Sequence, residues 1–180
     1  MSLGYRRIIG LDEVGRGALA GPLVVAAVEL SIFINDITDS KLLSAAKREI
    51  LADKIHNLAA QVSFGSVNPE EIDKLGLTAA QKLAYVRALE GVDGDIFLTD
   101  YYAIDNKPFI KAVKGDQLFF PVAAASIVAK VQRDKLMHEN HKLFPNFGWD
   151  KNVGYGTKKH FDGIDKFGLT DLHRKSFISH

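Results

Sequence analysis

The 180-residue chain contains no cysteine, which excludes disulfides and thiolate metal sites. It also lacks a strong charge of either sign, because the net charge is only +1, so composition alone neither favours nor excludes a polyanionic partner. Between Arg7 and Asp12 only four apolar or glycine residues occur, too few for a signal sequence or a membrane span. With 47% apolar residues, the sequence predicts one soluble globular domain of cytoplasmic location.

Two adjacent acids near the N-terminus are the most informative feature. Asp12 and Glu13 end a short apolar run (residues 8–11) and open a loop, residues 15–21, that contains three glycines. We expect a strand to deliver both carboxylates to its end and the glycines to let the backbone approach a ligand closely. Because neighbouring carboxylates repel each other unless a cation lies between them, the pattern indicates a hard divalent metal.

Two other interpretations of this loop are a solvated acidic turn and a dinucleotide site. Gly15, Gly17 and Gly21 match a GxGxxxG spacing. A dinucleotide loop leads directly into a helix, whereas here Pro22 precedes a β-branched apolar run, residues 23–30, which is typical of a strand. Two acids would also repel a pyrophosphate. The dinucleotide site is therefore disfavoured, while the acidic turn stays open on these residues alone.

Strand and helix signals alternate along the chain. The first two predicted strands flank the glycine loop as an antiparallel hairpin. Ser44 is a plausible N-cap, Asn68 and Pro69 start a helix with a break near Gly76, and residues 122–140 form the clearest helix. The order predicts an α/β domain with a mixed sheet flanked by helices, residues 1–141, followed by a small C-terminal extension, residues 142–180. The predicted strands cover residues 7–11, 23–32, 61–65, 95–100 and 109–113. Residues 142–151, with Pro145 and Gly148, are typical of a loop, and Phe144 and Trp149 are predicted to pack within the C-terminal region.

Acidic residues recur at or just beyond predicted strand ends. Asp12 and Glu13, Asp100, and Asp116 could converge at one edge of the sheet, where functional groups of open α/β sheets gather. Four carboxylates form an oxygen-only ligand set, which suits Mg²⁺ or Mn²⁺ and is poor for zinc. Two such ions, roughly 3.5 to 4 Å apart, would make a site for in-line phosphodiester hydrolysis.

Several basic, aromatic and histidine positions allow two interpretations each. Residues 151–180 carry six Lys or Arg against three acids, a pattern typical of a solvated face or of a phosphate-binding surface with interleaved aromatics such as Tyr155. Lys41 and Lys130 are phosphate contacts or ordinary surface lysines. Asp134 is a supporting acid near the metal or an ion-pair partner on a helix surface. His138 and His141 lie one helical turn apart and could bind a metal, but no third ligand is nearby, so they indicate an exposed helix end.

Five segments in order resemble the ribonuclease HII family, the type 2 ribonucleases H. The first is the acidic glycine loop, in which Arg16 between two glycines distinguishes it from the Gly-Thr-Gly of the type 3 enzymes. Together the segments span about residues 8 to 177. The five are Asp12–Pro22, Asp39–Ser44, Lys114–Asp134, Gly154–Thr157 and His173–Phe177.

The resemblance implies an RNase H-like fold and a metal-dependent endonuclease. Such an enzyme cuts the RNA strand of RNA/DNA hybrids and nicks 5′ of a ribonucleotide embedded in duplex DNA, leaving a 3′-hydroxyl and a 5′-phosphate. It further implies metal-binding catalytic roles for Asp12, Glu13, Asp100 and Asp116. Substrate contacts are implied for Gly15, Arg16 and Gly17, which would read the ribose 2′-OH, for Tyr155 on the following deoxyribose, and for Arg174. Lys41 is kept as a candidate substrate contact from its charge.

The sequence departs from the family pattern at three places. Ala18 replaces a proline, Tyr101 follows Asp100 in place of glycine, and Asn152 with Val153 replaces His-Lys, which removes a basic contact. We expect a monomer without a sliding-clamp peptide and assign residues 117–120 to the core. The rival functions are a junction resolvase acting on DNA alone and a non-catalytic nucleic-acid-binding protein of the same fold.

Overall fold

A mixed sheet of five strands forms the centre of the computed structural model, which describes residues 6–37, 43–100, 107–112 and 114–178. The strands lie in the order β3-β2-β1-β4-β5, so the strand that carries the two adjacent acids is central. Their bounds are β1 Ile8–Val14, β2 Leu23–Glu29, β3 Gln61–Val67, β4 Ile96–Thr99 and β5 Phe109–Lys111.

The strand pairing directs several chain segments to one edge of the sheet. The predicted hairpin is confirmed, because β1 and β2 pair antiparallel with Glu13 opposite Val25. Strand β4 runs parallel to β1, with Leu11 opposite Thr99, and β5 runs parallel to β4. The carboxyl ends of β1, β4 and β5 therefore point the same way, and Asp100 follows β4 at the edge that β1 reaches.

Seven α-helices are described. The predicted helix starts are confirmed: the Ser44 hydroxyl accepts from the Lys47 N–H, and Asn68 forms a capping box with Glu71. The predicted break is also confirmed, since Gly76 has a φ of 77° and separates two helices. Their bounds are α1 Ala45–Leu58, α2 Pro69–Leu75, α3 Leu77–Glu90, α4 Gly115–Leu118, α5 Phe120–Leu143, α6 Trp149–Asn152 and α7 Lys158–Phe167.

Apolar cores lie on both faces of the sheet. Helices α2 and α3 cover one face in a cluster that includes Tyr85 and Phe97. Helices α1 and α5 cover the other in a cluster that includes Ile55 and Ile127. Gly10 permits the close approach of α5, because a side chain at this position would overlap the backbone of Pro121. The start of α5 is thus held against the strand that carries the acids.

The C-terminal region is more regular than its sequence suggests. We predicted a loop over residues 142–151, but this was wrong in part. Helix α5 continues to Leu143, and a short 3₁₀ helix, Pro145–Phe147, and α6 follow. Helix α7 was not predicted either. The packing roles of Phe144 and Trp149 are confirmed by a third cluster, which also holds Ala20 from the glycine loop. The division of the chain near residue 141 stays a prediction.

Two further predictions concern the surface. The core assignment of residues 117–120 was wrong for Gln117 and Leu118, which are exposed on α4. Among the described residues, no helix is both long and apolar enough to span a membrane.

Candidate active site

An open cleft of about 360 Å³ lies at the carboxyl ends of β1 and β4. Eight of the ten site residues predicted from the sequence line it. The others are Lys41, which lies outside the described residues together with Tyr101, and Arg174. The lining residues are Asp12, Glu13, Val14, Gly15, Arg16, Gly17, Arg48, Asp100, Asp116, Ser126, Lys130 and Tyr155.

Local backbone geometry brings Asp100 and Asp116 together although they are 16 residues apart. Lys114 adopts a left-handed conformation with a φ of 62°, and α4 starts immediately after it. The Gly115 N–H then donates a hydrogen bond of 3.0 Å to Asp100 Oδ1. A Cβ at Gly115 would lie 2.9 Å from the Asp100 Cα, so this approach requires glycine. The next residue, Asp116, is thereby placed in the cleft.

Electrostatic crowding is strongest at Asp12. Burial raises the pKa of its carboxyl from 3.8 to about 8, and the charges of Glu13 and Asp116 act in the same direction. A hydrogen bond with the Ser126 side chain, from α5, opposes this rise. A carboxyl held in this way favours either a proton or a nearby cation. The arrangement contradicts the interpretation of Asp12 and Glu13 as a freely solvated turn.

Glu13 is held by two residues of α3. Gln81 Nε2 donates to Glu13 Oε1 over 3.0 Å, and the Tyr85 hydroxyl donates to Glu13 Oε2 over 2.6 Å. Both partners are buried, with Gln81 5% exposed. Burial and the neighbouring Glu13 charge raise the pKa of Tyr85 well above its ordinary value, so its hydroxyl stays a donor. The carboxylate is therefore fixed in one orientation.

The donor set of the cleft fits a hard divalent cation. Asp12, Glu13, Asp100 and Asp116 offer carboxylate oxygens only. A cation would stabilise the ionised form of Asp12, whose pKa is raised by burial and by the charges of Glu13 and Asp116. As they stand, the described residues include no group of three or more acidic or histidine side chains that could hold a metal ion. The acids therefore share a cleft without forming a closed ligand cluster. The hydrogen bonds of Glu13 and Asp100 explain this in part, because they direct carboxylate oxygens to protein donors.

The glycine loop, residues 15–21, rests on the buried side chain of Arg133. Arg133 of α5 is fully buried and donates to the carbonyl oxygens of Pro22 at 2.9 Å, Val153 at 2.8 Å and Ala20 at 3.1 Å. Gly15, with a φ of 85°, lies so close to this side chain that a Cβ would overlap it. Arg133 therefore ties the loop to the C-terminal region, while Arg16 and Gly17 stay exposed.

Arg174 lies behind the loop rather than in the cleft. It is fully buried, and it donates twice to the Gly21 carbonyl and once to the Arg16 carbonyl, the last over 3.0 Å. Burial lowers its pKa to about 10. We predicted a direct contact between this guanidinium and substrate. In this arrangement the guanidinium faces main-chain carbonyls and not the cleft. Arg174 holds the backbone of the glycine loop instead.

Tyr155 faces the cleft because main-chain hydrogen bonds fasten its neighbours to the glycine loop. Leu19 and Ala20 donate their N–H groups to the Gly154 carbonyl at 2.8 and 3.1 Å. His160 Nδ1 lies 3.0 Å from the Tyr155 carbonyl oxygen, which orients the residue from the other side. The aromatic ring and the glycine loop therefore form two sides of one cleft.

The residues at the unusual Asn152-Val153 position have structural contacts. The Asn152 amide donates to the Phe147 carbonyl and to Thr157 Oγ1, and its oxygen accepts from the Gly154 N–H. Val153 adopts a φ of 42°, which is rare for a β-branched residue, and its carbonyl binds Arg133. This pair shapes the turn before Tyr155.

The remaining ambiguous positions fall on helices. Lys130 lines the cleft and forms an ion pair of 2.8 Å with Asp134, one turn along α5. His138 is exposed, and His141 Nε2 lies 3.6 Å from an Asp150 carboxylate oxygen. Arg48 of α1 also lines the cleft, with Nη1 donating to the Leu43 carbonyl. Sequence reasoning missed Arg48, because nothing in its local pattern distinguishes it from other surface arginines.

A central acid-bearing strand, a mixed sheet with helices on both faces and carboxylates at one edge define a protein of the RNase H-like class. The ribonuclease HII family model matches residues 9–180, nearly the whole chain. A curated ribonuclease HII from Sulfurihydrogenibium sp. is 44% identical, over 98% of this chain and 92% of its own length. The chain belongs to the ribonuclease HII family, a family of nucleases.

Solved structures agree with this fold. The chain is similar to ribonuclease HII of Archaeoglobus fulgidus, solved in a complex with PCNA, with a TM-score of 0.83, 25% identity and coverage of 97% of this chain and 96% of that one. It is also similar in fold to Bst-RNase HIII, solved in complex with Mn²⁺, with a TM-score of 0.73 and 17% identity over 97% of this chain and 68% of that one.

Proposed function

We propose that this protein is an endoribonuclease that hydrolyses the RNA strand of RNA/DNA hybrids and nicks duplex DNA 5′ of an embedded ribonucleotide. Its products would carry a 3′-hydroxyl and a 5′-phosphate. The observation that carries the proposal is that one cleft contains four carboxylates, the Gly15-Arg16-Gly17 loop and Tyr155. Membership of the ribonuclease HII family supports the substrate class.

Asp12, Glu13, Asp100 and Asp116 would hold two divalent ions, Mg²⁺ or Mn²⁺. When bound, these ions would supply an activated water and neutralise charge on the scissile phosphate. Two properties of the carboxylates support this assignment: their oxygen-only chemistry, and the pKa of Asp12, which burial and then the charges of Glu13 and Asp116 raise. Asp100 is assigned because the Gly115 N–H fixes its carboxylate beside Asp116.

Selection of a ribonucleotide would come from the glycine loop and Tyr155. A 2′-hydroxyl distinguishes RNA from DNA, and main-chain groups next to glycine can approach it closely. The space around Gly17 supports this, since no described residue other than its chain neighbours has an atom within 4 Å of the position that its Cβ would occupy. Tyr155 would pack on the following deoxyribose. Arg174 would act indirectly, by holding the loop carbonyls.

Basic residues beside the cleft would contact the backbone phosphates of the duplex. Lys130 and Arg48 line the cleft, and Lys41 is retained as a proposed contact from the sequence. We further propose that the protein acts in the cytoplasm as a monomer and that residues 142–180 form the part that contacts substrate.

The decisive experiment is cleavage of a labelled DNA duplex that contains a single ribonucleotide. The reaction is run with Mg²⁺, with Mn²⁺ and with EDTA, beside an all-DNA duplex and an RNA/DNA hybrid. The Asp100→Asn variant tests the third carboxylate, and we expect it to lose at least a hundredfold in rate because a ligand charge is removed. The matched control is Asp53→Asn, an exposed acid on α1 that does not line the cleft and lies outside residues 142–180.

A metal-dependent nick 5′ of the ribonucleotide, absent from the all-DNA duplex, would support the proposal. Equal cleavage of both duplexes would instead favour a DNA-directed nuclease such as a junction resolvase. Binding without cleavage would favour a nucleic-acid-binding protein. If Asp100→Asn and Asp53→Asn cut at the same rate, Asp100 has been assigned a wrong role.

A further inference from the structure

We infer that Gln81 is a positioning residue that links the acidic site to ribonucleotide recognition, by holding Glu13 and Arg16 with the two ends of one side-chain amide. This inference rests on the proposed function, because it assigns Gln81 to the same cleft. Gln81 belongs to α3 and lies outside the cleft lining and outside every segment that carried the family resemblance.

The contacts form a continuous chain of hydrogen bonds. Arg16 Nε donates to Gln81 Oε1 over 3.1 Å, and Gln81 Nε2 donates to Glu13 Oε1 over 3.0 Å. Gln81 is 5% exposed, whereas Arg16 is on the surface. A buried amide therefore connects an exposed side chain of the glycine loop to a carboxylate at the end of β1.

The chemistry of the two neighbours fixes the orientation of this amide. Arg16 has only donors, so it requires the amide oxygen, and the ionised Glu13 carboxylate has only acceptors, so it requires the amide nitrogen. The reversed amide would place N–H against N–H and oxygen against oxygen. Gln81 thus has one arrangement that satisfies both partners, and each contact supports the other.

Arg16 is held from two directions. Arg174 fixes its main-chain carbonyl at 3.0 Å, and Gln81 fixes its side chain at Nε. A long exposed arginine side chain would otherwise lose conformational freedom when a substrate binds, which weakens binding. Gln81 orders Arg16 beforehand, so its removal should weaken recognition of a ribonucleotide more than general attraction to DNA.

Tyr85 provides a matched control on the same helix. Its hydroxyl binds the other oxygen of Glu13 at 2.6 Å. The Tyr85→Phe substitution therefore perturbs Glu13 through the loss of one hydrogen bond and leaves the contact between Gln81 and Arg16 in place. If Gln81 links two functions, Gln81→Met, which removes both contacts, must affect both, whereas Tyr85→Phe must affect only the acidic site.

The test uses the full chain and two binding measurements besides cleavage. Fluorescence anisotropy in EDTA gives the ratio of the dissociation constants for a duplex with one ribonucleotide and for the all-DNA duplex. Calorimetric titration with Mg²⁺ gives the metal affinity. The variants are Gln81→Met, Gln81→Glu, Tyr85→Phe, Arg16→Met and the double variant of Arg16→Met and Gln81→Met, each checked for folding by circular dichroism.

We expect Gln81→Met to reduce the preference for the ribonucleotide duplex about tenfold, as for the loss of one charge-assisted hydrogen bond, and to change the Mg²⁺ affinity as well. Gln81→Glu keeps an acceptor for Arg16 but no donor for Glu13, so it should retain the preference while changing the Mg²⁺ affinity. Tyr85→Phe should change only the Mg²⁺ affinity. In the double variant, Gln81→Met should add nothing to the effect of Arg16→Met on preference.

The inference is overturned if Gln81→Met leaves either quantity at its wild-type value, or if its effect on preference adds fully to that of Arg16→Met. A loss of preference in Tyr85→Phe equal to that in Gln81→Met would also overturn it, because the effect would then reach the loop through Glu13 alone. Absence of cleavage by a wild-type protein that keeps the binding preference would overturn the proposed function and leave the role of Gln81 intact.

Discussion

Replacing Asp12 with asparagine should stabilise the metal-free protein at pH 8, although it removes a proposed catalytic group. In the folded chain, burial and then the charges of Glu13 and Asp116 raise the pKa of the Asp12 carboxyl from 3.8 to about 8. Ionising this carboxyl therefore opposes folding. Asparagine has nearly the same shape, keeps hydrogen-bonding capacity towards Ser126 and carries no charge.

The size of the effect follows from the gap between the two pKa values. A gap of about four pH units corresponds to an upper limit of about 6 kcal/mol, because each unit is worth about 1.4 kcal/mol. Asp12 is only half-buried and faces an open cleft, where water and counterions screen its charge. We therefore expect a gain in the free energy of unfolding of about 2 kcal/mol, or roughly 4 to 8 °C in melting temperature.

The gain has a defined pH dependence. An unfolded Asp12 loses its proton near pH 3.8, while the folded one retains it to about pH 8. Between these values the folded state binds more protons, so the stability of the wild type falls relative to the variant as pH rises. The difference should be small near pH 4, full near pH 8, and constant above it. Added Mg²⁺ should reduce it, because the cation favours the ionised wild type.

Urea unfolding in EDTA at pH 4.5, 6 and 8 provides the measurement, with Asp165→Asn as the control for loss of an exposed acid. The control should stay within about 0.5 kcal/mol of the wild type at each pH. The reasoning is refuted if Asp12→Asn is no more stable than the wild type at pH 8, or if its advantage is equal at pH 4.5 and pH 8.

Two other predictions concern the buried polar groups behind the cleft. Arg133→Met should lower the free energy of unfolding by about 3 kcal/mol in urea titrations, since three carbonyl oxygens lose their donor; an unchanged midpoint would contradict this. Acidification should weaken the C-terminal cluster, because burial and the neighbouring His160 lower the pKa of His173 to about 4. Unfolded His173 binds a proton from pH 6.5 downwards, so stability falls as pH drops from about 6.5 to 4. The fluorescence of Trp149, whose Nε1 lies 3.1 Å from His160 Nε2, should report this change, and a His173→Phe variant should show less of it.

Much of the fold could be predicted because its signals are local. The antiparallel hairpin follows from two apolar runs around a glycine loop, and the caps at Ser44 and Asn68 follow from side chains that bind the next turn. The break at Gly76 has the same origin. Helix α7 was missed because its amphipathic pattern is short, and Leu118 was wrongly assigned to the core because hydrophobicity alone does not fix the side that a short helix exposes.

The grouping of the four acids could also be predicted, because each lies near the end of a strand or just after a turn at the same edge of the sheet. The residues that hold these acids in place could not be predicted. Gln81 and Tyr85 read as ordinary core residues of α3 until the sheet packs and places Glu13 within hydrogen-bond distance.

The sequence by itself determined the chemistry of the cleft, because carboxylates, glycines and Tyr155 act through properties that each residue carries alone. Only the tertiary structure decided how these groups are held. Arg133 and Arg174 bind main-chain carbonyls more than a hundred residues away. Because every residue has a main-chain carbonyl, the residue types in the sequence do not reveal which carbonyls these arginines bind. Contacts of side chains with distant backbone therefore become visible only once the chain has folded.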